Sequence, residues 1–91
     1  MKTGMDVVIV NKYGFHVRPS TTFVKMAMGF TSKITVQHPS GMSADGKNMM
    51  MLMTLGATCG TKIKITADGD DAQAAVDALV ALVTGGFGGI E

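Results

Sequence analysis

The residues best equipped for chemistry stand together in Gly14-Phe15-His16-Val17-Arg18-Pro19-Ser20. An imidazole is followed two positions later by a guanidinium and three positions later by a proline. Upstream, Asn11-Lys12-Tyr13-Gly14 carries turn chemistry. Downstream, Phe23, Val24, Ala27 and Phe30 recur at helical spacing, so His16 falls between a strand and the start of a helix. The first N–H groups of a helix have no internal acceptors and carry partial positive charge, which makes a ready anion site. Pro19 in the first turn costs no hydrogen bond and fixes the backbone, so the donors at Val17 and Arg18 are pre-aimed. A neutral imidazole in that place can attack phosphorus, and the helix end disfavours its protonated form. The phosphorylated ring would lay its oxygens on the Val17 and Arg18 N–H groups and on the Arg18 guanidinium. Spacing alone leaves two readings open. His16 is a nucleophile in an anion site, or it is an ordinary polar cap beside a solvated arginine.

Other reactive side chains offer less. Cys59 is the only cysteine among 91 residues, so no internal disulfide can form, and a lone thiol fits a reducing compartment. It reads as a small apolar filler before a glycine turn. His38 precedes Pro39 in a polar turn and reads as a surface loop residue. Asp68, Asp70 and Asp71 resemble a fragment of a calcium loop, but the remaining ligands are missing, and they are expected to cap the last helix. No metal and no cofactor is expected. Nine methionines stand out, and Met49-Met50-Met51 with Met53 follow Asn48, with Met42 shortly before. A short helix cannot bury every side, so part of this run must face water. Exposed, flexible thioethers suit contact with several partners.

Positioning these groups falls to one small domain. The length fits a single two-layer core and no deep cofactor cavity. The expected elements are a strand over 5–10, a helix over 17–28, a strand over 33–36, and a short return arm over 42–45. A short helix over 49–53 capped by Asn48, a strand over 61–67, and a helix striped by Ala72, Val76, Leu79, Val80 and Val83 complete the set. The alternation of Ile63 and Ile65 with Lys62 and Lys64 asks for a sheet with one wet face. The fold class is therefore α+β, an open-faced β-sandwich of order β-α-β-β-α-β-α. Its four-stranded sheet is mainly antiparallel and carries three helices on one face. Residues 1–84 form the domain, and the Gly-rich 85–91 reads as a flexible tail.

The formal net charge is +1 with scattered lysines, which argues against nucleic acid as a partner. No apolar stretch approaches the ~20 residues needed to span a bilayer, so no membrane insertion is expected. The N-terminus lacks an apolar leader core, and the expected location is the cytosol.

The chain resembles the histidine-containing phosphocarrier protein family, HPr, of the phosphoenolpyruvate-dependent sugar phosphotransferase system. Gly14-Phe15-His16-Val17-Arg18-Pro19 looks like its active-site signature. Phe23-Val24-Lys25, Gly29-Phe30-Thr31-Ser32, Met53-Thr54-Leu55-Gly56 and Ile65-Thr66-Ala67-Asp68-Gly69 fall in register with it. The resemblance implies that His16 Nδ1 accepts a phosphoryl group from a phosphohistidine of the pathway's first enzyme. It then donates that group to a sugar-specific downstream component, with Arg18 stabilising the phosphate. The chain would be a phosphoryl-transfer intermediate more than a stand-alone catalyst, and a monomer. The implied docking surface comprises Phe15, Thr21, Met49, Met50 and Met53, with Lys25 and Lys47 at its rim. Asn48 stands where many relatives carry a serine that a regulatory kinase phosphorylates. Asn and Ser cap helices about equally well, so the exchange keeps the cap and removes the hydroxyl. Two alternatives remain at this level. One is a carrier of the nitrogen-related regulatory branch, to which the long hairpin at 37–45 and the Gly-Phe near the C-terminus bear some likeness. The other is a binding regulator that docks through the methionines and never carries phosphate.

Overall fold

The computed structural model describes residues 1–90. Its elements are β1 (Lys2–Val8), α1 (Val17–Ala27), β2 (Lys33–Gln37), β3 (Ser43–Asp45), α2 (Met49–Thr54), β4 (Lys62–Asp68) and α3 (Ala72–Thr84), followed by a terminal turn, Gly86–Gly89. The sheet order is β1-β4-β2-β3, and every neighbouring pair is antiparallel. Strand alternation decides the two faces. Val7, Ile34, Val36, Ala44, Ile63, Ile65 and Ala67 are buried beneath the helices, whereas Lys2, Lys33, Lys62 and Lys64 face water. This is the open-faced α+β sandwich expected.

The helices close the core with their apolar stripes. α1 buries Pro19, Ser20, Phe23 and Ala27, and α3 buries Ala72, Ala75, Val76, Leu79 and Val83. α2 is short and buries only Leu52, which leaves Met50 and Met51 exposed and Met49 and Met53 half-buried. The strand expected over 5–10 begins earlier, at Lys2, because residues 2–8 pair in unbroken register with β4 from Lys2↔Asp68 to Val8↔Lys62. Lys2, Thr3 and Gly4 have weak strand character of their own, and the partner strand overrides it.

Two further expectations need correction. The residues after 84 do not trail away as a tail. Phe87 is 2 % exposed and meets Phe15 edge-on with ring centroids 5.6 Å apart. To reach that place it takes φ 57, a left-handed angle that glycines at 86 and 88 share at no steric cost. The glycines therefore form a tight turn that inserts one aromatic ring. Glu91, the end of the expected tail, lies outside the described residues. The second correction concerns Asp71. It stands at the N-cap position of α3, but its carboxylate does not cap that helix. Its oxygens accept the Thr31 and Ser32 N–H groups at 2.8 and 2.9 Å and the Ser32 hydroxyl, tying the turn after α1 to the start of α3. The Ser32 hydroxyl and then the Thr31 N–H are the main causes that lower its pKa to about 2.

Candidate functional site

The loop before α1 is set by Gly14. Its φ is +59, and a Cβ there would lie 2.0 Å from the Ala57 carbonyl oxygen, so only glycine allows the loop to press against the segment after α2. The Phe15 N–H donates to that same Ala57 oxygen at 3.2 Å, and the Asn11 side-chain amide donates to the Gly14 carbonyl at 2.8 Å. Phe15 then turns inward and packs against Phe23 and Phe87. With Phe15 anchored below and α1 beginning above, His16 is held as the N-cap residue of α1, in extended backbone geometry.

The imidazole is half-buried, and its two nitrogens differ. Nε2 is enclosed and has no hydrogen-bond partner. Nδ1 is not enclosed in this way and makes no bond to a described residue, which leaves it as the accessible nitrogen. The Tyr13 ring meets the imidazole edge-on, with centroids 5.7 Å apart and planes at 88°. The His16 side chain does not cap the helix, so it does not consume the donors at the helix start.

Those donors can be counted. The His16 N–H is bonded to Gly14 O at 3.0 Å, Pro19 has none, and the Ser20 N–H is already bonded to His16 O at 3.0 Å. Only Val17 and Arg18 keep unpaired N–H groups in this turn among the described residues. No acidic residue lies in the first turn to oppose an anion. The Arg18 side chain is exposed and has no partner among the described residues, so its guanidinium is free to close on a phosphoryl group. The arrangement can hold a small tetrahedral anion on a ring nitrogen with two backbone donors and one fork of guanidinium donors. Among the described residues no group of three or more His, Cys, Asp or Glu side chains is placed to hold a metal ion.

Of the expected docking residues, the structure keeps four near the surface and removes one. Phe15 is 4 % exposed, so it is a core residue and not a contact surface; its apolar ring is worth more against Phe23 and Phe87 than in water. Met50 is 69 % exposed, and Met49 and Met53 are half-buried. The Thr21 hydroxyl donates to Val17 O at 2.8 Å and lies 3.1 Å from the Met49 sulfur, which joins α1 to α2 beside the site. Met51 and Met42, both exposed, extend the apolar surface toward the hairpin. The Asn48 side chain accepts the Met51 N–H at 3.0 Å and so caps α2 as expected. The rim lysines divide: Lys25 is exposed, while the Lys47 ammonium donates to Phe30 O at 2.7 Å. Cys59 is exposed and no filler, with its sulfur 3.6 Å from Val10 O.

Sequence reasoning missed Tyr13, Ser20 and Phe87. Ser20 is fully buried and its hydroxyl has no partner. Its signal was available, since it is a small polar residue in the first turn of the helix that His16 caps. Phe87 had no signal beyond being an aromatic residue among glycines.

Comparison with known proteins adds to this geometry. Residues 5–85 match the sequence family described as PTS HPr component phosphorylation site. A phosphocarrier protein HPr of Haemophilus influenzae is 49 % identical over 78 residues, spanning 86 % of this chain and 91 % of that protein. A multiphosphoryl transfer protein of the same organism is 37 % identical over 82 residues, which make up 88 % of this chain but only 16 % of that larger protein. The crystal structure of an HPr from Thermoanaerobacter tengcongensis superposes with a TM-score of 0.90 at 37 % identity, covering 94 % of this chain and 96 % of that one.

Proposed function

The chain belongs to the HPr family and is a phosphocarrier of the phosphotransferase system, and from that premise we propose that the phosphoryl group is carried on His16 Nδ1. The observation that carries this assignment is the asymmetry of the ring: Nε2 is enclosed and Nδ1 is not, at a helix start whose Val17 and Arg18 N–H groups are unpaired. Transfer between two imidazole nitrogens needs alignment and charge stabilisation more than proton traffic. The helix end and the Arg18 guanidinium supply the stabilisation, and Pro19 keeps the first turn from adjusting away. The donor is the phosphohistidine of the system's first enzyme, and the acceptor is a sugar-specific component. Both dock in the cytosol on one surface made by Thr21, Met49, Met50 and Met53 around the ring. Thioethers adapt to different partner surfaces without a change of fold, which a carrier with two kinds of partner requires. Asn48 offers no hydroxyl, so the α2 cap is not a phosphorylation switch in this chain. No helix among the described residues is long and apolar enough to cross a membrane.

The test is incubation with phosphoenolpyruvate and the cognate first enzyme. The expected product is an acid-labile, alkali-stable phosphate, with a phosphorus NMR signal assigning it to the Nδ1 position. His16→Ala should abolish it. A folded His16→Ala protein that still accepts phosphate removes the assignment.

A further inference from the structure

Two polar atoms in the first turn of α1 are shut away from water without a hydrogen-bond partner: His16 Nε2 and Ser20 Oγ. They belong to the N-cap residue and to the fourth residue of α1, which the Ser20 N–H bond to His16 O at 3.0 Å ties together. Ser20 is 0 % exposed, so its hydroxyl cannot turn to bulk solvent. Buried donors and acceptors are costly to leave unpaired and are nearly always paired in folded proteins. The two atoms are chemically complementary, because a serine hydroxyl accepts and a protonated Nε2 donates.

We propose that Ser20 is a positioning residue for His16, its hydroxyl oxygen accepting the Nε2 proton and thereby fixing the lone pair on Nδ1. Rotation about the Ser20 Cα–Cβ bond, or one trapped water, closes the remaining gap. Tyr13 meets the imidazole edge-on and restrains the ring's orientation, but an aromatic contact does not choose the protonated nitrogen. A hydrogen bond to a ring nitrogen does that, and Ser20 offers one on the enclosed side.

The consequence for transfer rests on the His16 assignment above. The Nδ1 lone pair forms the new N–P bond while the donor's N–P bond breaks and its electron pair returns to the donor ring. Nε2 keeps its proton throughout, so the phosphorylated ring is cationic and its N–H a stronger donor to Ser20. Onward transfer reverses these changes and leaves the ring neutral, again with the proton on Nε2. Ser20 thus acts on the ring and never touches the phosphoryl group. The competing use of a buried helical serine is to donate back to the carbonyl four residues earlier, here His16 O, which would leave the ring unaffected.

The experiment labels the histidine rings with nitrogen-15 and reads the His16 shifts by NMR before any phosphate is added. In the parent, His16 should be held almost wholly as the Nε2–H tautomer. In Ser20→Ala, which suits a helix interior, the Nδ1–H share should rise by about fivefold. Single-turnover transfer from the charged first enzyme should slow by about three- to tenfold, the worth of one hydrogen bond. Thr22→Ala is the control, since the Thr22 hydroxyl bonds Arg18 O at 3.1 Å and should leave the ring shifts and the rate unchanged. Ring shifts identical in parent and Ser20→Ala overturn the proposal. A ring that responds to Ser20→Ala in a protein that takes no phosphate on His16 would instead sink the acceptor assignment and leave the Ser20 contact standing.

Discussion

Removing the Phe87 side chain should destabilise the whole domain, although it sits among glycines four residues before Glu91. The ring is 2 % exposed and packs on Phe15, which itself packs on Phe23 with centroids 5.4 Å apart. Truncating a buried phenylalanine to alanine costs about 3–5 kcal/mol, with the lost aromatic pair included in the upper part of that range. A domain this small has on the order of 5–10 kcal/mol in total. Phe87→Ala should therefore lose about half of it, and the melting temperature should fall by about 15–30 °C. The left-handed backbone supplies an internal control. Alanine keeps the strain of φ 57, whereas glycine relieves about 1 kcal/mol of it. Phe87→Gly should then be no less stable than Phe87→Ala, the reverse of the usual helical order. Urea unfolding followed by circular dichroism measures both. A loss below about 1 kcal/mol for Phe87→Ala, or a glycine variant clearly weaker than the alanine one, would mean that the ring is not in the core and the terminal segment is a tail after all.

Three shorter predictions follow from the same structure. Asp71 has its pKa lowered to about 2, so its contribution is complete above the ordinary carboxylate value near 3.8 and is lost as pH falls from about 4 through about 2; Asp71→Asn should flatten that part of a stability–pH curve obtained by urea unfolding. Met50→Asp should leave stability within about 0.5 kcal/mol, because Met50 is 69 % exposed, yet weaken binding of the first enzyme by about fivefold or more in titration calorimetry. Asn48→Ala should cost about 1 kcal/mol through loss of the α2 cap, while Asn48→Ser should be nearly neutral in the same unfolding assay.

Much of this architecture was legible in the residue pattern, and the exceptions share a cause. Ile63 and Ile65 alternating with lysines announced the wet-faced sheet, and Pro19 after His16 announced the helix start, because strand and helix periods are local properties. Lys2 to Gly4 join β1 only because β4 offers them a register, which no local window contains. Asp71 had the position of a cap but turned to Thr31 and Ser32, forty residues away in sequence and adjacent only after folding. The family resemblance places Phe15 on the docking surface. Burial is decided by which face of the loop meets Phe23 and Phe87, and Phe87 could not be credited with a core role among four glycines, three of which (Gly86, Gly88 and Gly89) take the left-handed angles that deliver it.

The placement of the site suits a carrier. The larger surface hollows lie elsewhere. One is lined on the open sheet face by Lys2, Thr35, Lys64 and Thr66, and another beside the hairpin by Gln37, His38, Pro39 and Gly41. A phosphohistidine enclosed in a cavity would be protected but unreachable by a second protein; one on a mobile loop would be reachable but misaligned. Here the ring stands at the start of a packed helix, anchored from below by Phe15 and Gly14, with Nε2 enclosed. Rigidity at the site comes from this chain, which leaves enclosure of the ring to a partner.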